Sequence, residues 1–380
     1  MKITYNREGT LFCHYQKWRL FKEMISWWRT TFGDEENANI ANSIKNENIS
    51  QGSVTDEFES SIAKALNVPY AVATTSGSMA LLMALMALDI KCDDEVIVPN
   101  RTWIATAHAP LMLGAKVVLV DVKSDIPIID ESQIRQKITS RTKAIIPVHL
   151  NGRAANMKII RTIAEEYNLH VVEDACQALF SKDPHLGYLG TQSEAGCFSL
   201  SVAKLISTGQ GGFVVVNKKE IYEKLKLIRT HGITDVVNPI YTQLGFNFRF
   251  NDILASIGIA QLTRVQKRIS HVKSMYDKYK MGIASLPYIK CIPVDVSGGE
   301  VPLYFEVLCD GRERLMEYLS SCGIQTRPFS ANLNMAGYLS GTDNYPNSKI
   351  FGDQGLVLPC GPGQSLENVD RVLDLLQNYT

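Results

Sequence analysis

The chain has 380 residues, and its 39 Lys+Arg balance 39 Asp+Glu for a formal net charge of zero. With 45% hydrophobic and 21% charged residues, it has an ordinary globular composition and enough length for about two domains. This argues against a disordered scaffold, and no bulk positive charge recommends a nucleic-acid binder.

Residues Met1 to Leu20 are interrupted by Lys2, Arg7, Glu8, His14, Lys17 and Arg19, so they lack the apolar core of a signal peptide. The first fifty residues read as an irregular N-terminal arm in which Phe12, Tyr15, Trp18, Phe21, Trp27 and Trp28 mix with basic residues. The arm packs on the body or a partner subunit, or it contacts substrate. From Thr55 the spacing of Phe58, Ile62 and Leu66 predicts a helix, with Thr55 as its cap. Tyr70–Ala73 is a short strand. Ser76-Gly77-Ser78 then opens an apolar helix over Met79–Leu88. That run of ten residues falls short of the roughly 20 that a bilayer requires, so it reads as a buried helix.

Strands are predicted at Glu95–Pro99, Lys116–Val120, Ala144–Val148, Leu169–Val172, Ala195–Leu200 and Gly212–Val216. Helices alternate with them at Thr102–Leu113, Asn156–Tyr167 and Ile221–His231. This rhythm predicts an α/β fold with a mostly parallel sheet covered on both faces. After about Gln261 a polar, basic helical connector leads to a smaller α+β region. That region has a strand at Val301–Leu308, a helix at Arg312–Ser320, a strand at Gly355–Leu358 and a terminal helix over Leu366–Tyr379. Ala331 to Gly352 reads as loop with room for one short helix. The expected division is an arm over 1–50, a large domain over 51–255 and a small domain over 256–380.

The chemistry concentrates at the ends of strands. A strand delivers Ser199 and Ser201, and then Lys204, into a glycine-rich turn ending at Gly212. A lysine in a confined site can be neutral part of the time and attack a carbonyl. A surface lysine beside a loop is the plainer alternative. Asp174 sits at the carboxyl end of a strand, where ligands bind in open sheets, and a carboxylate there can pair with a protonated pyridine nitrogen. It could equally cap a helix. Ser76-Gly77-Ser78 precedes a helix, and such an amino terminus favours phosphate. Trp103 could stack on a ring or fill a core. The eight cysteines are scattered without a CxxC pair, and the histidines form no metal motif. The expectation is therefore reduced thiols in a cytoplasmic protein, with no metal and no membrane association.

Several segments recur in a known order: Thr75-Ser76-Gly77-Ser78, Pro99-Asn100-Arg101-Thr102-Trp103, His149-Leu150-Asn151-Gly152, Glu173-Asp174-Ala175-Cys176-Gln177-Ala178, Ser199 to Gly212, and Gly245 to Asp252. With these motifs the chain resembles the DegT/DnrJ/EryC1/StrS sugar aminotransferases, fold-type I enzymes that use pyridoxal 5′-phosphate. The resemblance runs from about Gln51 to the C-terminus and weakens beyond Ile259. It implies that Lys204 carries the cofactor as a Schiff base and that Asp174 pairs with its pyridine nitrogen. Gln177 is implied to contact the phenolic oxygen, and Trp103 to stack on the ring. Gly77, Ser78 and Ser199 are implied to hold the phosphate, and Met79 belongs to the same implied cofactor site. Asn247 is implied to reach the phosphate of the neighbouring subunit's cofactor, which makes the active unit a homodimer with shared sites. His149, Arg249 and Arg327 are the candidates for binding substrate.

The implied reaction moves an amino group from an amino acid such as L-glutamate to a keto-deoxy sugar carried on a nucleotide. The setting would be amino-sugar or cell-surface polysaccharide biosynthesis, as for lipopolysaccharide. Members with histidine at the position of Lys204 catalyse dehydration, so the retained lysine favours transamination. A dehydratase or lyase and a catalytically silent homologue stay open as alternatives. The chain departs from the family pattern at Ser78, Met79 and Asn151, and Asn334 stands near the place of a usual histidine.

Overall fold

The computed structural model describes residues 24–235, 237–339 and 343–379. The aromatic residues Phe12, Tyr15, Trp18 and Phe21 lie outside the described residues. The rest of the expected arm is not irregular throughout. Helix α1 covers Asp34–Lys45, and Glu36 Oε2 accepts the Gly33 N–H at 2.9 Å. Acidic residues in its first turn complement the helix dipole. Helix α2, Ser53–Leu66, buries Phe58, Ile62 and Leu66 on one face, as their spacing predicts. Its cap is tertiary. Asp252 Oδ1 accepts the N–H groups of Gly52 and Thr55 at 2.8 and 2.9 Å, so Thr55 is inside the helix and not its cap.

In chain order follow β1 (Tyr70–Thr74), α3 (Gly77–Ala87), β2 (Glu95–Pro99), α4 (Ala105–Met112), β3 (Lys116–Val120), β4 (Thr142–Ile145), α5 (Met157–Tyr167) and β5 (His170–Asp174). A short hairpin, β6 (Lys182–Asp183) and β7 (Gly187–Tyr188), leads to β8 (Ala195–Ser199), β9 (Gly212–Val216) and α6 (Lys219–Arg229). The seven-stranded sheet has the order β1-β9-β8-β5-β4-β2-β3. Strand β9 is antiparallel to both neighbours, and the others run one way. The carboxyl ends of β1, β2, β5 and β8 therefore open on the same edge. Strands β2 and β9 are buried along their whole length, as expected where helices cover both faces. Helix α3 is wrapped by the sheet, α4 and α6, with Leu81, Met83 and Leu85 at most 1% exposed. Each such side chain contributes roughly 2 kcal/mol of burial, so a charge at Leu85 would break this layer.

Helix α7 (Asp252–Thr263) runs through residue 255, and α8 (Val265–Gly282) is the expected basic connector. The smaller region holds β10 (Ile289–Cys291), β11 (Phe305–Cys309), α9 (Arg312–Ser321), β12 (Arg327–Pro328), α10 (Pro346–Gln354), β13 (Gly355–Leu358) and α11 (Leu366–Gln377). Its antiparallel sheet has the order β10-β11-β13-β12. Strand β11 starts later than predicted because Val301–Leu303 packs in irregular backbone against the large domain, where Val301 accepts no ladder and its N–H donates to Ser181 Oγ at 2.9 Å. The two sheets share one apolar cluster that includes Phe58, Phe213, Phe305 and Leu358. Arg153, 1% exposed, also joins them. It donates to Glu306 Oε2 at 2.6 Å and to the carbonyls of Pro293 and Ile292 at 2.7 and 3.1 Å. Among the described residues, no helix is long and apolar enough to cross a membrane.

Candidate active site

Asp174 closes β5 at the open edge and is 5% exposed. Its Oδ1 accepts the Cys176 N–H at 3.1 Å, and its Oδ2 accepts the Thr106 hydroxyl at 2.7 Å. Thr102 Oγ1 lies 3.1 Å from Thr106 Oγ1 and can donate to it in turn. A two-hydroxyl relay on the α4 entry thus fixes one carboxylate oxygen, and a main-chain amide fixes the other.

Lys204 occupies the irregular loop between β8 and β9 and is half-buried. Burial pushes its ammonium below the ordinary lysine value, against the pull of Asp174. The Cys176 thiol is held well above its own ordinary value by burial, so it stays protonated. Lys204, Ser199, Cys176 and Gln177 line one small cavity, roofed by Val301 and Leu303. Gln177 Oε1 accepts the Asn151 N–H at 3.0 Å, which leaves the amide nitrogen as its free donor. Asn151 is in the left-handed region at φ 56° and also clamps Tyr304, donating to its carbonyl at 3.0 Å and accepting its N–H at 2.5 Å.

The amino terminus of α3 reaches this cavity through two glycines. A Cβ on Gly77 would lie 2.8 Å from Cys176 Sγ and 2.9 Å from Ser199 Cβ. A Cβ on Gly212 would lie 2.5 Å from the Ser76 carbonyl carbon and 2.6 Å from the Gly77 nitrogen. Gly212 pairs with Thr74 on one side and Ser199 on the other. The helix end, the end of β8 and the start of β9 converge because no side chain separates them. The first amides of a helix have no intrahelical partner, so the Gly77 and Ser78 amides, beside the Ser199 hydroxyl, are donors that could receive an anion. The Met79 amide is already engaged. Its N–H is taken by the Ser76 hydroxyl at 3.2 Å, and the Met79 side chain packs on the core.

The other expected site residues separate into groups. Trp103 is 54% exposed between β2 and α4, on the same edge as Asp174. Asn247 is exposed, bridges Thr230, and accepts the Arg249 Nε–H at 3.0 Å. Arg249 is half-buried and bridges Thr74 at the end of β1. Arg327 is exposed on β12 with its guanidinium 4.7 Å from the centroid of a Trp27 ring. His149, a candidate for binding substrate, is enclosed by protein. It is 0% exposed, and its Nδ1 accepts the Ala155 N–H at 3.1 Å. That leaves Nε2 to donate to Glu173 Oε2 at 2.9 Å. Glu173 also takes the N–H groups of Gly190 and Gln192 at 2.8 and 2.7 Å, so this pair is a buried brace. Among the described residues, no cluster of three or more His, Cys, Asp or Glu could hold a metal ion.

Thr106 escaped the sequence reading. Its signal was available: it stands three residues after Trp103, on the face of α4 turned to the sheet edge.

A model of the DegT/DnrJ/EryC1/StrS aminotransferase family matches residues 30–377. The chain is 34% identical over 337 residues to GDP-perosamine synthase of Escherichia coli O157:H7, covering 87% of this chain and 91% of that protein. It is 34% identical over 330 residues to GDP-perosamine synthase of Caulobacter vibrioides, covering 84% and 88%. Among solved structures, S. venezuelae DesV in complex with a ketimine intermediate matches with a TM-score of 0.86 and 29% identity, covering 90% of this chain and 94% of that one. E. coli GDP-4-keto-6-deoxy-D-mannose-3-dehydratase with bound hydrated PLP matches with a TM-score of 0.86 and 25% identity, covering 93% and 100%. The matched span takes in both sheets and every residue of the cleft, and the chain belongs to the DegT/DnrJ/EryC1/StrS aminotransferase family.

Proposed function

We propose that this chain is a pyridoxal 5′-phosphate-dependent aminotransferase that moves an amino group from an amino acid, L-glutamate, to a nucleotide-linked keto-deoxy sugar. The observation that carries this reading is the meeting of Lys204, Asp174 and the α3 amino terminus at one sheet edge. The residues fit the cofactor. The cup made by Gly77, Ser78 and Ser199 suits a phosphate, and the glycines leave it unfilled. Asp174 suits a protonated ring nitrogen, Gln177 offers an amide donor to a ring oxygen, and Trp103 offers an open aromatic face. Bound there, pyridoxal phosphate supplies an electron sink for the charge that builds on the donor carbon.

The chain's own groups do the rest. Lys204 holds the cofactor at rest through Nζ. Once freed by the donor amine, it takes a proton from the donor carbon and returns it to the acceptor side. A lowered proton affinity suits a group that must accept a proton and release it again. Asp174, fixed by Thr106 and the Cys176 amide, keeps the ring nitrogen protonated. The relatives named GDP-perosamine synthase support a GDP-linked acceptor. A homodimer is part of the same reading. Val237, Ile240, Tyr241, Leu244 and Phe246 are 54–84% exposed next to Asn247, an apolar stretch of the kind that meets a second subunit.

The test is a visible spectrum of the protein loaded with pyridoxal phosphate, before and after glutamate. The reading expects a lysine-bound chromophore that glutamate discharges and a keto sugar restores. A bound chromophore that ignores every amino donor while the sugar loses oxygen would replace it with the dehydratase chemistry named for the E. coli neighbour. No chromophore at saturation would remove the function and leave the fold.

A further inference from the structure

The segment around Lys204 is irregular backbone. Residues 202–207 belong to no helix or strand. The loop is tied at its base, where the Thr208 N–H donates to the Leu200 carbonyl at 3.0 Å and Ser201 bridges Gly209. The carbonyls flanking the lysine are held from outside. Trp28 Nε1 donates to the Val202 carbonyl at 2.8 Å. The Tyr304 hydroxyl donates to the Ala203 carbonyl at 3.0 Å. Arg268 donates to the Leu205 carbonyl at 3.0 Å. These donors come from three separate places: the segment before α1, the approach to β11, and α8.

The donors are themselves coupled. The Trp28 and Tyr304 rings meet edge-on at 5.5 Å between centroids. Arg268 also donates to the Thr31 carbonyl at 2.7 Å, on the same N-terminal strap as Trp28. The strap is stitched to the small domain: the Cys360 N–H donates to the Trp27 carbonyl at 2.9 Å, and the Arg29 N–H to the Cys360 carbonyl at 3.0 Å. Tyr304 is in turn clamped by Asn151, whose own N–H holds Gln177. Three of the loop's carbonyls, those of Val202, Ala203 and Leu205, thus take their donors from side chains distant in sequence.

We propose that Trp28 and Tyr304 are positioning residues for Lys204, locking its loop so that the amine is presented at one fixed place each time it is released and recaptured. The inference rests on the functional reading for its catalytic consequence and on geometry alone for the lock. A misplacement of about 1 Å costs on the order of a hundredfold in rate, so a lock of this kind is felt in turnover before it is felt in binding. The charged and titratable groups facing Lys204 are Asp174 on β5 and Cys176 just beyond it, and neither contacts Trp28 or Tyr304.

The test uses Trp28→Phe and Tyr304→Phe, each of which keeps a ring and removes one donor, and the double variant, which removes both. The first readout needs no turnover. Lys204 in the full chain without cofactor is labelled with an amine reagent across a pH series and quantified by peptide mass spectrometry. The double variant should shift the labelling midpoint towards that of ordinary lysines, as water enters the loosened loop. The second readout is kinetic: kcat falls about tenfold while the KM values for donor and acceptor stay within about twofold. An unchanged midpoint with unchanged kcat would overturn the proposal, as would a loss confined to KM. If the double variant fails to fold, each single variant is read by the same labelling and kinetic measurements, and unchanged midpoint and kcat in both would refute the lock. A wild-type chain that transfers no amino group defeats the functional reading, while the labelling shift still decides the lock.

Discussion

Replacing Thr106 with valine removes one of the two hydrogen bonds that orient Asp174, the 2.7 Å bond to Oδ2, and leaves the 3.1 Å bond from the Cys176 amide. A hydrogen bond to a charged group is worth about 1.5–3 kcal/mol. At 1.36 kcal/mol per decade, its full loss in the transition state alone would slow the reaction roughly 10- to 150-fold. Asp174 keeps its second anchor, and Thr102 loses an acceptor, so the lower end of that range, about tenfold in kcat, is the expected outcome. Steady-state kinetics with glutamate and the keto sugar measure it. The KM for glutamate should hold, because Thr106 touches the proposed site through the Asp174 carboxylate and the main-chain carbonyl of Trp103. Thr106→Ser keeps the hydroxyl and should recover most of the rate. Wild-type kcat in Thr106→Val, or equal losses in the valine and serine variants, would refute the claim that the hydroxyl orients Asp174.

Three further outcomes are expected. Gly212→Ala places a methyl 2.5–2.6 Å from the backbone of Ser76 and Gly77, so the anion cup must open; pyridoxal phosphate affinity should fall at least tenfold by equilibrium titration, with the fold retained by circular dichroism. Arg153→Met leaves Glu306 as an uncompensated buried carboxylate and should cost about 3–5 kcal/mol in denaturant unfolding, while Arg153→Met combined with Glu306→Leu should restore much of the loss. Lys204→Met should stabilise the cofactor-free protein at neutral pH. The folded state lowers the lysine's proton affinity, so the penalty for keeping it charged is fully present below the folded pKa and disappears as pH rises towards the ordinary value of 10.5. The difference in melting temperature between variant and wild type should therefore narrow as pH is raised, and a constant difference would show that desolvation of the charge is not its origin.

The parts legible in the sequence were those whose signal is local. Strands β2 and β9 are largely apolar runs because helices cover both their faces, and α3 is apolar all round because it is buried all round. Asp174, Lys204 and Gly77 were singled out because their residue types suit the chemistry, and the fold brings them to one sheet edge. Helix α1 was not, since Glu36, its most buried residue, is a carboxylate satisfied by Gln261 and Arg264 from α7 and its flank. The surroundings of His149 were hidden for a related reason. A histidine beside a glycine turn looks available until the fold brings Glu173 and the Ala155 amide to both ring nitrogens. Trp28 and Tyr304 were invisible as partners of the lysine loop because 174 and 101 residues separate the bonded groups.

The strap that carries Trp28 has a consequence in time. It lies parallel to Ile324 and Cys360 and exchanges main-chain hydrogen bonds with residues 323–363. The strap precedes its berth by about 300 residues, so a ribosome delivers it well before the residues that receive it. Residues 25–29 must therefore wait while the intervening chain is made, and the large sheet can form before they dock. The Trp28 contact to the lysine loop is fixed in place only once residues 323–363 are present, so a chain still growing through that stretch carries Lys204 without it. Docking of the strap is thus a late event in assembling the cleft.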